Sequence, residues 1–117
     1  MPSTQLNERE RTALDYLISA EFPGAVELRA QARGLRVRER KGATLTVFER
    51  NASAPRADVR AVVPVEAHTR DERPWQLLLF VKEGFLDSLE LVTFDVGTAY
   101  ELPTVEELGP HLVADAA

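Results

Sequence analysis

Few residues of this chain are spaced for chemistry. His68 and His111 are its two histidines, and Glu66 precedes His68 by two positions, which puts both side chains on one face of an extended strand. A carboxylate–imidazole pair is the smallest unit that can relay a proton, but the expectation for these two is an exposed polar pair. His111 lies far along the chain, and no His-x-x-x-His or similar spacing supplies a metal-ligand set. There is no cysteine, which removes thiolate ligands and disulfides together. Ser19, Ser53 and Ser88 lack the strand–turn–helix context of a nucleophile elbow. The six glycines stand at turns and do not gather into a phosphate-binding loop. Neither serine hydrolysis nor nucleotide chemistry is supported.

Asp87 and Glu90 flank the most apolar stretch. Three positions apart on a regular strand they point to opposite faces, which argues against a two-carboxylate hydrolytic pair. The expectation is a protein that is not an enzyme, with no catalytic residue, cofactor or metal, whose carboxylates recognise a partner. Glu66, Asp87, Glu90 and Asp95 are the candidates for that binding. Residues 66–117 hold eleven acidic and three basic side chains, whereas residues 27–41 hold six basic and two acidic ones, within a net charge of −5. An acidic half steers association with a basic partner and also keeps a domain soluble. The run Arg29, Arg33, Arg36, Arg38, Arg40 and Lys41 reads as a solvated strand face, with phosphate or an acidic protein as the sharper alternative. Cations cluster nowhere else, so no nucleic acid is expected as a partner.

One domain must position these side chains, since 117 residues suffice for a single core. That core is expected around residues 75–94, WQLLLFVKEGFLDSLELVTF, where two runs of strand formers flank Lys82-Glu83-Gly84. Two registers are open: a two-residue turn pairs Lys82 with Phe85, and a three-residue turn pairs Val81 with Phe85. Asn7 and Glu10 match a capping box, and Leu14, Leu17 and Ile18 form an apolar stripe, which predicts a helix over 7–20 ended by Phe22-Pro23-Gly24. A second helix over 24–33 turns Leu28, Ala32 and Ala25 inward and Glu27, Arg29, Gln31 and Arg33 outward, and stops at Gly34. Residues 35–41 and 43–50 alternate as strands. Residues 58–69 read as another, which Pro64 makes an edge or a bulged strand. A helical turn is expected over 103–108, with residues 1–6 and 110–117 flexible. The expected fold is α+β: two N-terminal helices on one face of an antiparallel, roughly five-stranded meander.

The set Glu21-Phe22-Pro23-Gly24, Leu28-Arg29-Ala30-Gln31, Pro64-Val65-Glu66-Ala67, Leu78-Leu79-Phe80-Val81 with Gly84 and Leu89-Glu90, and Leu102-Pro103 resembles a family of small bacterial proteins that forms a domain of unknown function. The likeness spans roughly residues 10–108 and brings with it no activity, cofactor or catalytic residue. In size and style the chain is also similar to immunity proteins that accompany bacterial toxin domains. That likeness implies a protein, monomeric or homodimeric, that neutralises a cognate toxin through its acidic surface. The alternatives are a small-molecule-binding domain or small enzyme using Trp75, Glu66 and His68, and a homodimeric structural module. The N-terminus lacks the basic and apolar regions of a signal peptide, and nowhere do eighteen apolar residues run together, so a cytoplasmic protein without membrane contact is expected.

Overall fold

The computed structural model describes residues 3–42, 44–67, 75–93, 101–109 and 112–113. Its elements are β1 (Thr4–Gln5), α1 (Glu8–Ile18), α2 (Ala25–Ala32), β2 (Arg36–Lys41), β3 (Leu45–Glu49), β4 (Val65–Glu66), β5 (Trp75–Lys82), β6 (Phe85–Thr93) and β7 (Leu112–Val113). The expected capping box opens α1: Asn7 Oδ1 accepts from the Glu10 amide at 2.8 Å, and the Asn7 amide donates to Glu10 Oε1 at 2.8 Å. Two donors that a helix start leaves orphaned are thereby satisfied, an effect worth about 1 kcal/mol. Ala13, Leu14, Leu17 and Ile18 form the buried stripe. At the corner between the helices Gly24 has a φ of +96°, and a Cβ there would stand 2.6 Å from Val59 Cγ2, so only glycine fits.

The two helices close each other's C-termini. α1 has no basic residue in its last turn, and Arg29 of α2 donates to the carbonyls of Ile18 at 2.7 Å and Ala20 at 3.0 Å. In return, Arg11 of α1 donates to the Ala32 carbonyl at the end of α2 at 2.8 Å. Each guanidinium thus donates to carbonyls at the negative pole of a helix dipole, the Ala32 carbonyl accepting from the Leu35 amide as well, at 3.2 Å.

Five strands form one antiparallel sheet in the order β1-β2-β3-β6-β5, and β4 pairs with β7 in a separate two-stranded sheet. The class is α+β, with two helices and a five-stranded antiparallel sheet, but the strand order is not that of a meander. β3 pairs with β6 through Leu45↔Glu90, Thr46↔Leu89 and Val47↔Ser88. Residues 57–63 run along the outer edge of β5 instead, where the Val81 amide donates to the Ala61 carbonyl at 2.7 Å and the Val63 amide to the Leu79 carbonyl at 2.9 Å. Pro64 has no donor to offer a central ladder, and the segment leading to it takes the edge position that proline permits. The N-terminal leader adds β1, paired as Thr4↔Val37 and Gln5↔Arg36. Lys82 stands opposite Phe85, and the two residues between them, Glu83 at φ +55° and Gly84 at φ +85°, are both left-handed as a type I′ turn requires. Near the C-terminus, the helical turn expected over 103–108 is not shown; a hydrogen-bonded turn stands there, with the Glu107 amide donating to the Thr104 carbonyl at 3.1 Å.

Two bulges decide which side chains face the helices. Phe80↔Ser88 is followed by Val81↔Leu86, so β6 carries one extra residue at Asp87; Val37↔Phe48 is followed by Glu39↔Val47, so β2 carries one extra residue at Arg38. An extra residue reverses the parity of a strand beyond it. On β6, Leu86 and Leu89 therefore share the inner face although they are three apart. With Leu77, Leu79, Val81 and Leu91 they are buried in one core with both helices, each worth roughly 1.5–3 kcal/mol of burial. On β2 the same shift brings Arg40 to the side of Val37, beneath α1.

Candidate functional site

Of the candidate carboxylates, Glu90 falls on the sheet face turned away from the helices. Glu90 stands between Leu78 of β5 and Leu45 of β3, and Ser88 stands between Phe80 and Val47. Leu45, Leu78, Phe80 and Val92 are half-buried, as are Glu90 and Asp87. Val47 and Phe85 are buried without joining the core beneath the helices. The result is an apolar centre with carboxylates set into it. Asp87 is itself the bulged residue, which removes the strict alternation that assigned Asp87 and Glu90 to opposite faces. Glu66 belongs to β4 in the separate two-stranded sheet, and its side chain lies outside the described residues. Asp95, His68 and His111 also lie outside the described residues, as does the side chain of Trp75.

Two buried polar nodes escaped the sequence reading. Glu10 is 2% exposed, and its carboxylate accepts from Arg40 Nε at 2.7 Å, Arg40 Nη2 at 2.8 Å, Thr46 Oγ1 at 2.8 Å and the Asn7 amide at 2.8 Å. Burial pushes its pKa up, but the Arg40 hydrogen bonds, the Asn7 amide, the Thr46 hydroxyl and the Arg40 charge together hold it below the ordinary carboxylate value. The hydrogen bonds to Glu10 in turn raise the Arg40 pKa, against the opposing effect of its burial. With its four acceptor sites filled, this carboxylate has no capacity left to take a proton from a substrate. Gln31, expected outside, is 1% exposed. Its Nε2 donates to the carbonyls of Pro55 and Gly84, both at 2.8 Å, and its Oε1 accepts from the Leu86 amide at 2.8 Å. No buried side-chain nitrogen or oxygen among the described residues lacks a partner. The missed signal was spacing: Glu10 shares a stripe with Ala13, Leu14 and Leu17, and Gln31 shares one with Leu28 and Ala32.

The cationic run over 29–41 does not act as a unit. Arg29 is spent on the end of α1, Arg40 on Glu10, and Arg36 on Ser3, to whose hydroxyl and carbonyl it donates at 2.8 Å each. Arg33, Arg38 and Lys41 remain exposed. A cleft of about 400 Å³ opens between the helices, with Ile18 and Ala32 at its floor and Arg11, Asp15, Arg29 and Arg33 around it. Among the described residues no group of three or more His, Asp or Glu is arranged to hold a metal ion, and no helix is long and apolar enough to cross a membrane. The fold and the open face define an α+β domain whose described ionisable groups are either built into the structure or displayed on its surface. No family model, curated protein or solved structure matches the chain.

Proposed function

We propose that the chain is a non-catalytic binding protein that holds a protein partner against the open face of its five-stranded sheet. The observation that carries this reading is the set of half-buried Leu45, Leu78, Phe80 and Val92 around Glu90, with Asp87 beside them. The apolar side chains offer the contact area of a protein interface, and the carboxylate set among them requires a partner group of opposite charge. The carboxylates favour a basic partner and speed its encounter. A toxin domain with a basic, nucleic-acid-binding cleft has that chemistry, and neutralising such a toxin in the cytoplasm, as an immunity protein does, is the particular form of the reading.

The test is capture by the tagged chain at low and then moderate salt, with Asp87→Lys/Glu90→Lys run in parallel and Glu106→Lys as an exposed control. The reading expects one stoichiometric partner, released by salt, lost with the double variant and retained by the control. Equal capture by all three proteins would overturn it. A second reading rests on the cleft between the helices, whose Ile18 and Ala32, with Asp15, Glu21 and Arg33 beside them, suit a small apolar ligand with a polar end. A ligand of that kind, present at a hundred times its Kd, would stabilise the fold by about 2.7 kcal/mol in a thermal-shift assay.

A further inference from the structure

The turn between β5 and β6 gathers cations that the sequence scatters. The guanidinium carbons of Arg50 and Arg56 lie 4.9 Å and 5.7 Å from the centroid of the Phe85 ring, and Phe85 stands opposite Lys82. Arg60 precedes Ala61, whose carbonyl accepts from the Val81 amide next to Lys82. Arg33 is drawn in by Asn51, which follows Arg50 and donates to the Arg33 carbonyl at 3.1 Å. All five cations are exposed, and they come from the end of α2, the loop after β3, the strand-like segment beside β5 and β5 itself. The carboxylates among them are fewer. They are Asp58, Glu83, the half-buried Asp87 two residues beyond Phe85, and Glu49, which stands opposite Arg36.

Glu83 shows what this end can hold. Its Oε2 lies 3.3 Å from Arg50 Nη1, whereas Arg33, Arg56, Arg60 and Lys82 have no carboxylate partner among the described residues. Arg50 and Arg56 are oriented in advance by the ring, and the stem of Arg56 lies where any Cβ at position 84 would stand, so Gly84 is what lets it approach. A guanidinium fork held in this way matches the two oxygens of a carboxylate.

We propose that this end of the molecule is a docking surface for a carboxylate-rich segment of a partner protein, at the turn end of the sheet, where Phe85 and Lys82 border the open face. Phe85 is 8% exposed beneath its two arginines, so it offers no ring for a nucleic-acid base to stack on. The net charge of −5 repels an extended polyanion, while a short acidic segment at the turn feels chiefly the charges within a Debye length of about 8–10 Å.

The experiment measures binding of a fluorescent peptide of about ten residues, alternating glutamate and glycine, at low salt, beside a single-stranded oligonucleotide of the same charge. Exposed ion pairs contribute a few tenths to about 1 kcal/mol each, so Arg56→Gln/Lys82→Gln should weaken the peptide about tenfold. Lys41→Gln, an exposed cation at the far end of β2, should change nothing. Glu83→Gln should strengthen binding about threefold by freeing Arg50, a gain that a damaged fold would not produce. Absence of peptide binding, an equal loss with Lys41→Gln, or tighter binding of the oligonucleotide would overturn the proposal.

Discussion

Glu10 and Gln31 occupy equivalent places in the two helices. Each lies on the apolar stripe of its helix, each is almost fully buried, and each joins its helix to the sheet through short hydrogen bonds. They differ in charge. Gln31 is a neutral clasp whose amide answers backbone groups of the β5–β6 turn and the preceding loop, so its partners are supplied by the path of the chain. Glu10 is an ion and requires a second ion, Arg40, which reaches it because a bulge at Arg38 turns the strand over. A buried amide needs only its hydrogen bonds, whereas a buried carboxylate also needs a countercharge.

Gln31 is the first position to substitute. Gln31→Leu is close in volume but leaves the buried Leu86 amide without a partner, while the Gly84 carbonyl keeps the Ala57 amide at 2.8 Å, so the expected loss is about 1–3 kcal/mol in denaturant unfolding. Next is Arg40→Met, which leaves Glu10 buried without its cation. The expected loss is about 2–3 kcal/mol, short of the roughly 3–5 kcal/mol of a wholly buried pair because the Arg40 side chain is 39% exposed. A loss below about 1 kcal/mol in either variant would show that the group left behind finds another partner.

Acid separates the nodes more sharply. The Glu10 pKa is lowered in the folded state from its ordinary value of 4.5, so its contribution to stability is fully present above that value and disappears as pH falls through the folded pKa. Arg40, with its pKa raised, stays charged throughout this range and adds no slope. Melting temperatures measured from pH 7 to pH 3 should therefore fall less steeply below about 4.5 in Glu10→Gln than in the wild type, while Gln31→Leu should lower the whole curve without changing its shape. An unchanged slope in Glu10→Gln would show that the acid sensitivity lies elsewhere. The smallest effect is expected on the open face, where Asp87→Lys/Glu90→Lys should move stability by no more than about 0.5 kcal/mol per site in the same unfolding assay, leaving any loss of partner capture attributable to the surface.

The sequence carried more of the fold than of the surface. The capping box at Asn7 and Glu10, the apolar stripe of α1, the break at Pro23 and the glycine after α2 are all legible, because each is decided by groups a few residues apart. The β5–β6 hairpin was legible as an element, but its register was not: the left-handed pair Glu83-Gly84 chose the two-residue turn. For the candidate carboxylates, only chain order and charge were visible, and the alternation used to face them fails at the residue in question, Asp87.

What the sequence by itself determined is local: where the helices start and stop, which stripe of each is apolar, and that a strong hairpin must lie at its centre. The tertiary structure settles that β6 lies beside β3, that extra residues at Arg38 and Asp87 turn strand faces over, and that the segments carrying Arg33, Arg50, Arg56, Arg60 and Lys82 come to one end. The physical reason is range. A cap or a turn is settled by hydrogen bonds within one turn of chain, whereas strand order and bulges are settled by which distant segment can satisfy a whole ladder while burying the correct face.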